Sequence, residues 1–567
     1  MLRNSMRGLA LGSAATGLLA TGGVLNAQLT PEWVTRLPVG TSLIAGLKAT
    51  VIDGAGVTYI TGIHGSSSNT DIITAAYDPD GSLIWQRSFN GPGNWHDQSR
   101  GIALGPGGVL WVCGNTPGPG SYANVLALKY DAATGNLLHT LQYSSGPGLS
   151  EHAGSVAVDA AGNVYLAGGT VGDGPDAMIL KFNSSGALQW KRVWDGPAQA
   201  PYSLDNAFQI LVDQAGDPVV LIHGVMGSLQ PDYVVIKLNP ASGLNIWETH
   251  WGGNGGDYPL TMLLDDSGDL FVTGSSIITG FNRYGTIRVR GSDGLVLWQS
   301  SEGILNHNSA RGLAIDGVGG VYVTGSVDPD IDRSNSNDNF YSVKLDAGTG
   351  AFLWSHSYGA NCVNCLDFPT SVIVDSAGHV FIAGYTVSAP YSGDMILFQL
   401  DASSGVERNR GVVAGNLQEE VVFSRLMRFD RAENLFVGAD FYNANTGAYD
   451  MSIFKYASQS ARLALAVDAT CPSGGPIRIE WSGATPDGQA ALIFARSTGS
   501  FRIPNGNPCA GTPLGLGSNQ IQLAWQGGAG GNGSRTLNAS AGPGACGGYM
   551  QLLDITSCGV SNVARLE

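Results

Sequence analysis

From Pro31 to Tyr456 the chain is a succession of short runs in which apolar and polar residues alternate, each run broken by Gly, Asp, Asn or Pro. Alternation with period two places successive side chains on opposite faces of a strand, and the breakers supply tight turns. No apolar stripe of helical period lasts more than about three turns. The pattern therefore predicts an all-β protein of many short strands.

One stretch returns. "DAAGNVYLAGG" begins at Asp159, "DDSGDLFVTGS" at Asp265, "DGVGGVYVTGS" at Asp316 and "DSAGHVFIAGY" at Asp375. The glycine that ends each such strand falls at Gly62, Gly114, Gly168, Gly224, Gly274, Gly325 and Gly384, with Ala439 in the eighth copy. The spacings are 52, 54, 56, 50, 51, 59 and 55 residues, which is the signature of a repeat architecture. Each unit reads as four strands. In the third, "GSVAVD" leads through an Asp-Gly turn into "NVYLAG", then "DAMILKF", a turn at "NSSG", and "ALQW". A four-stranded meander repeated radially is a propeller blade, because stacking buries the faces that one sheet leaves open. The fourth strands carry Trp85, Trp190, Trp247, Trp298 and Trp354 at one position, with His139 and Asn409 in the second and seventh units; these tryptophans are expected to pack blade against blade.

The eighth unit stops at Tyr456 without a fourth strand, and "PEWVTRL" (Pro31–Leu37) has the missing pattern, with Trp33 at the tryptophan position. The expected fold is an eight-bladed β-propeller over 28–457, closed by its N-terminal strand, which removes the last open edge. Residues 1–27 read as a secretory signal: Arg3 and Arg7, an apolar run from Leu9 to Leu25, and Ala27 before the mature start. Residues 458–567 alternate as further strands and read as a separate β-sandwich, with Trp481 and Trp525 between the sheets.

Charge then narrows the partners. Charged residues are 13% of the 567, and the net charge is −16, which disfavours nucleic acid and anionic membrane surfaces. Export permits disulfides, so Cys471, Cys509, Cys546 and Cys558 are expected to form two, with connectivity open. Cys113 is expected to be a buried free thiol, and Cys362 and Cys365 a local disulfide.

The unit D-x-x-G-N-V-Y-x-x-G…D-x-x-x-x-K…G-x-x-x-W resembles the bacterial β-propeller repeat of secreted and cell-envelope proteins, over about three-quarters of the chain. That resemblance implies a propeller in an extracytoplasmic setting, periplasmic or extracellular. "VDATCPSGGPIRIEWSGATP" resembles the opening of an immunoglobulin-like or fibronectin-type sandwich. "DAGTGAFLW" (Asp346–Trp354) resembles the tryptophan-docking motif of quinoprotein dehydrogenases, which implies a dehydrogenase as the alternative. Against it, the sequence has no adjacent cysteine pair, and "CVNC" is followed by Leu366, not by a haem-ligating histidine.

Two sets of residues are candidates for a site. Asp328, Asp330, Asp332 and Asp338 crowd one loop with hard oxygen ligands, a pattern that suits calcium. Asp97, Glu151, Asp205, Asp257, Asn308 and Asp367 lie eight residues before the turn position that Asp159 holds in the third unit, with Ala45 and Val422 completing the series. Propeller symmetry sets them around one face. They read either as a ring of loop caps or as an electronegative channel mouth that attracts a cation or a basic segment. No cofactor is predicted, and calcium is the one ion the pattern admits. The expected function is an exported, non-enzymatic, monomeric binding or scaffolding protein for a protein or glycan ligand; the alternative is a propeller enzyme, quinoprotein-like or acting on polysaccharide.

Overall fold

The computed structural model describes residues 27–37, 44–118, 122–171, 175–197, 205–226, 230–253, 255–278, 280–303, 306–328, 338–359, 366–388, 392–413, 426–431, 433–443, 448–457 and most of 464–566. Among these the regular structure is almost entirely β.

Each repeat folds into one antiparallel meander. The third has strands Ser150–Val158, Val164–Val171, Pro175–Phe182 and Leu188–Trp194, hydrogen-bonded in that order. Its first turn forms as the sequence predicts: Asp159 Oδ1 accepts the N–H groups of Ala161 (3.0 Å) and Asn163 (2.8 Å), and Gly162 takes φ +80°. Asp53, Asp213, Asp265, Asp316 and Asp375 make the same pair of bonds in their own turns.

Seven such sheets span 44–89, 98–143, 150–194, 206–251, 257–302, 306–358 and 366–413. An eighth is built from 427–429, 435–443 and 448–456, with Trp33–Leu37 as its fourth strand, antiparallel to Ala448–Tyr456 in the register Trp33↔Lys455 to Leu37↔Met451. Apolar clusters join each sheet to the next. The one between sheets eight and one contains Leu37, Met451 and Ile453 from one side and Leu47, Ile60 and Ile73 from the other. Burying both faces of every sheet is what the repeat requires for stability.

The tryptophans dock these junctions. Trp85 donates its indole N–H to the Ala132 carbonyl of the next sheet (2.8 Å), and Trp190, Trp247, Trp298 and Trp354 do so to Pro240, Gly291, Ala347 and Ala402. Each ring lies against a turn glycine of that sheet, where a Cβ would overlap it, as at Gly243 and Gly294. Trp33 repeats the contact across the last junction, donating to Pro79 O (3.2 Å) with its ring against Gly81. Where the seventh unit has Asn409 in place of Trp, Ala27–Gln28 adds a fifth, parallel strand, and buried Leu29 fills the junction with sheet eight.

First strands of neighbouring sheets touch one another and so surround the axis of the array. In each of sheets one to seven the first strand carries a β-bulge at the same place, after Leu47, Ser99, Ala153, Ala207, Pro259, Ala310 and Pro369. The recurrent glycine of the second strand faces this bulge. A Cβ on Gly114, Gly168, Gly274, Gly325 or Gly384 would run into the carbonyl oxygen of Gln98, His152, Tyr258, Ser309 or Phe368, which explains the glycine that marks the repeat.

After residue 463 one sheet pairs Ala464–Ala469, Gly475–Ser482 and Arg535–Ala541, and a second pairs Gln522–Gly528, Gln489–Ala495, Tyr549–Asp554 and Ala564–Arg565. One apolar cluster contains Ile479 and Trp481 of the first and Leu492 and Leu552 of the second, with the Trp481 and Trp525 rings 5.2 Å apart.

Candidate ligand-binding face

The loops that lead into the first strands are held by buried carboxylates. Asp97, Asp205, Asp257 and Asp367 have no exposed surface, and Glu151 and Asn308 have almost none. Asp97 accepts the Gly91 N–H (2.6 Å), and Glu151 accepts that of Ser145 (2.7 Å). Asp205 bridges its own loop to the neighbouring strand: one oxygen takes Gly196 N–H (2.9 Å), the other Val225 N–H (2.6 Å). Asp257 does likewise with Gly253 N–H (2.6 Å) and Ile277 N–H (3.1 Å), and also accepts the Ser276 hydroxyl. Asn308 donates to the Asn282 carbonyl. The backbone N–H of Asp367 donates to Asp338 O (2.7 Å). Val422 lies outside the described residues.

Burial raises the carboxyl pKa of Asp97 and of Asp205 despite these bonds. Asp232, beside Asp257, is pushed up to about 6 by burial and by that neighbour's negative charge. His152 is pushed down to about 4 by burial and by the Arg100 guanidinium.

The loop proposed for calcium is described at its ends. Asp328 closes the strand Gly320–Asp328 and is buried, and Asp338 precedes the strand Asn339–Asp346. Asp330 and Asp332 lie outside the described residues. A different trio comes together instead: Asp176, Asp195 and Asp205 place carboxylate oxygens within 4.8 Å of one another. Spacing along the chain does not reveal it, since Asp176 lies on the strand Pro175–Phe182 while Asp195 and Asp205 stand at the two ends of the connection from Leu188–Trp194 to Asn206–Val212.

Three residues after each acidic position stands the bulged residue of the first strand. The series is Lys48, Arg100, Gly154, Phe208, Leu260, Arg311 and Thr370. Among the described residues this series contributes three cations, Lys48, Arg100 and Arg311, and no acid. Arg100 donates to Gln98 Oε1 (3.0 Å) and Asn115 Oδ1 (3.5 Å). The constant offset of three stands in the sequence, but only the bulge gives it a structural meaning. Beside Arg311 lies a cavity of about 390 Å³, lined by Tyr258, Ser275, Asn282, Asn308, Ser309, Arg311, Ser326 and Asp338.

The docking-like turn of Asp346–Trp354 is fully engaged in structure. Asp346 Oδ1 accepts the N–H (2.8 Å) and hydroxyl (2.7 Å) of Thr349, and Trp354 reaches Ala402 of the next sheet. The donors and acceptors of this turn are spent on the hairpin and the junction. Cys113 is a buried free thiol, as expected. No helix among the described residues is long and apolar enough to cross a membrane.

No curated protein matches the chain in sequence. Among solved structures, a quinohemoprotein alcohol dehydrogenase from Pseudomonas putida HK5 is similar with a TM-score of 0.48 at 11% identity, over 81% of this chain and 80% of that one. A europium-containing methanol dehydrogenase gives 0.49 at 10% identity, over 76% and 93%. A quinohemoprotein alcohol dehydrogenase from Comamonas testosteroni gives 0.48 at 13%, over 79% and 80%. Residues 69–314, under half of the chain, match the family described as outer membrane protein assembly factor BamB. Together with the repeat and its sheets, that match identifies the chain as carrying a β-propeller repeat.

Proposed function

We propose that the chain is an exported, eight-bladed propeller, closed by its N-terminal strand, that binds a protein or glycan on the face formed by the loops entering its first strands, without catalysis. The observation that carries this reading is the set of locked loops. Buried carboxylates tie Gly91, Ser145, Gly196 and Gly253 into fixed positions around the axis, so the face is preorganised and little ordering entropy opposes binding. The family match to an outer membrane assembly factor supports a scaffolding role at the cell envelope. Trp33 at the last junction, docked like the other tryptophans, supports closure.

In this reading residues 1–27 are the signal peptide, so that the Ala27 pairing with Asn409 belongs to the uncleaved chain and Gln28 and Leu29 keep the junction after cleavage, and 458–567 form a sandwich stapled by Cys471, Cys509, Cys546 and Cys558. Cys509, which is disulfide-bonded, and the shared apolar cluster of the two C-terminal sheets support that part. Calcium bound by Asp328, Asp330, Asp332 and Asp338 belongs to the proposal as an ordering ion for its loop.

The test uses the exported full chain. Immobilised protein is offered envelope-protein extracellular fragments and an oligosaccharide panel, while dye-linked alcohol oxidation with added quinone and calcium, and oligosaccharide cleavage, are followed in parallel. Saturable binding without turnover is expected. Dye reduction or cleavage at enzymatic rates would replace the binding reading with the enzyme one.

A further inference from the structure

We infer that the cavity beside Arg311 is a subsite for one acidic sugar residue, whose carboxylate pairs with the Arg311 guanidinium. This rests on the binding reading above and names the ligand class for one part of that face.

The repeat builds the site. The bulge after Ala310 sets Arg311 out of the strand register, and Gly325 opposite leaves room for the Ser309 carbonyl that the bulge turns toward it. The guanidinium is stacked over the Phe368 ring, 5.3 Å from its centroid. Its Nε is buried and has no acceptor among the described residues. Arg100, the same position in sheet two, is already satisfied by Gln98 and Asn115. A guanidinium oriented by stacking, with its Nε desolvated and lacking an acceptor, favours a planar carboxylate, which accepts two parallel N–H bonds.

The remaining wall decides what carries that carboxylate. Ser275, Ser309 and Ser326 offer hydroxyls, and Asn282 and Asn308 offer amides. Ser275 and Ser309 are 3.4 Å apart, close enough to share a ligand hydroxyl. Tyr258 presents a half-exposed ring held by His223, with centroids 5.3 Å apart, as a flat apolar platform for a sugar ring. The volume falls within the usual range for small-ligand cavities. Asp338 stands on the same wall. It repels a second negative charge and accepts hydroxyls, so the cavity suits a single carboxylate among many hydroxyls and not a sulfate- or phosphate-rich polyanion.

The experiment measures calorimetric binding of a galacturonic acid trisaccharide and of its carboxyl-reduced, neutral counterpart to the full chain. The wild type is expected to bind the acid at least tenfold more tightly. Arg311→Gln should bring the acid down to the level of the neutral sugar, Arg311→Lys should lose most of the preference while keeping the charge, and Arg100→Gln should leave it intact. Melting curves confirm folding; if the Gln variant does not fold, the Lys variant carries the test. Equal wild-type affinity for both sugars, no binding of either, or a preference that survives both Arg311 substitutions overturns the assignment. So does a neutral peptide with a free C-terminal carboxylate that binds through Arg311 in place of the sugar. Sugar binding indifferent to Arg311, or protein binding alone in the screen above, leaves the binding reading standing while this subsite falls.

Discussion

Replacing Asp205 separates a structural cap from a ligand. Its carboxylate has no exposed surface and is the acceptor for two backbone donors, Gly196 N–H and Val225 N–H. Asp205→Ala leaves both donors buried and unpaired. Each such loss costs roughly 1–3 kcal/mol, so about 3 kcal/mol is expected in all. Asp205→Asn keeps one acceptor oxygen and turns an amide N–H₂ toward the other donor, but it also removes a charge that burial disfavours. A loss of about 1 kcal/mol follows. Urea unfolding followed by tryptophan fluorescence reads both, and the losses should be the same in calcium and in chelator. An Asp205→Ala protein within about 0.5 kcal/mol of the wild type would refute the capping argument. A loss seen only in calcium would instead make the Asp176–Asp195–Asp205 trio a cation site.

Leu37→Ala should cost about 3 kcal/mol, the range for a fully buried leucine, and should speed hydrogen exchange in sheet one as well as in sheet eight; an effect confined to 448–456 would argue against closure. The folded-state pKa of Asp232 lies above its unfolded value, so ionisation costs stability above about pH 6 and the cost disappears as pH falls toward 4. Asp232→Asn should therefore gain about 2 kcal/mol at pH 7, after allowance for partial exposure, and the gain should vanish near pH 4; a gain independent of pH contradicts the assignment. Cys113 should resist alkylation in the native protein and react only on unfolding, and ready labelling by a bulky reagent would contradict its burial.

Strand alternation, turn chemistry and the 54-residue spacing made the sheets legible, because each depends on local periodicity and on a few turn residues. Even the pairing of Trp33–Leu37 with 448–456 could be read, since the eighth unit lacks one strand and the N-terminus has one to spare. The fifth strand at Ala27–Gln28 could not, because two residues carry no period. In the C-terminal module the strands Thr498–Arg502, Pro513–Leu516 and Arg535–Ala541 are hard to read for a similar reason: glycine and polar residues blur the alternation there. The acidic series can be listed from spacing, yet what its members touch depends on loop geometry that spacing does not encode. Spacing alone does not single out the cations Lys48, Arg100 and Arg311, because only the bulge gives their position its meaning.

The account rests on a ring that holds its loops in register, and therefore on the pairing of the N-terminal strand with the last repeat. Thr35 opposes Ile453 and Arg36 opposes Ser452. Neighbouring antiparallel pairs alternate between wide and narrow spacing, so one of the two accepts a disulfide. Cysteine pairs are introduced at 35 and 453, or at 36 and 452, and the folded protein is oxidised, digested and examined by mass spectrometry. The account predicts a cross-linked peptide joining the N-terminal strand to residues 448–456 in at least one variant. Two variants whose new thiols all remain alkylatable in the native protein would contradict it.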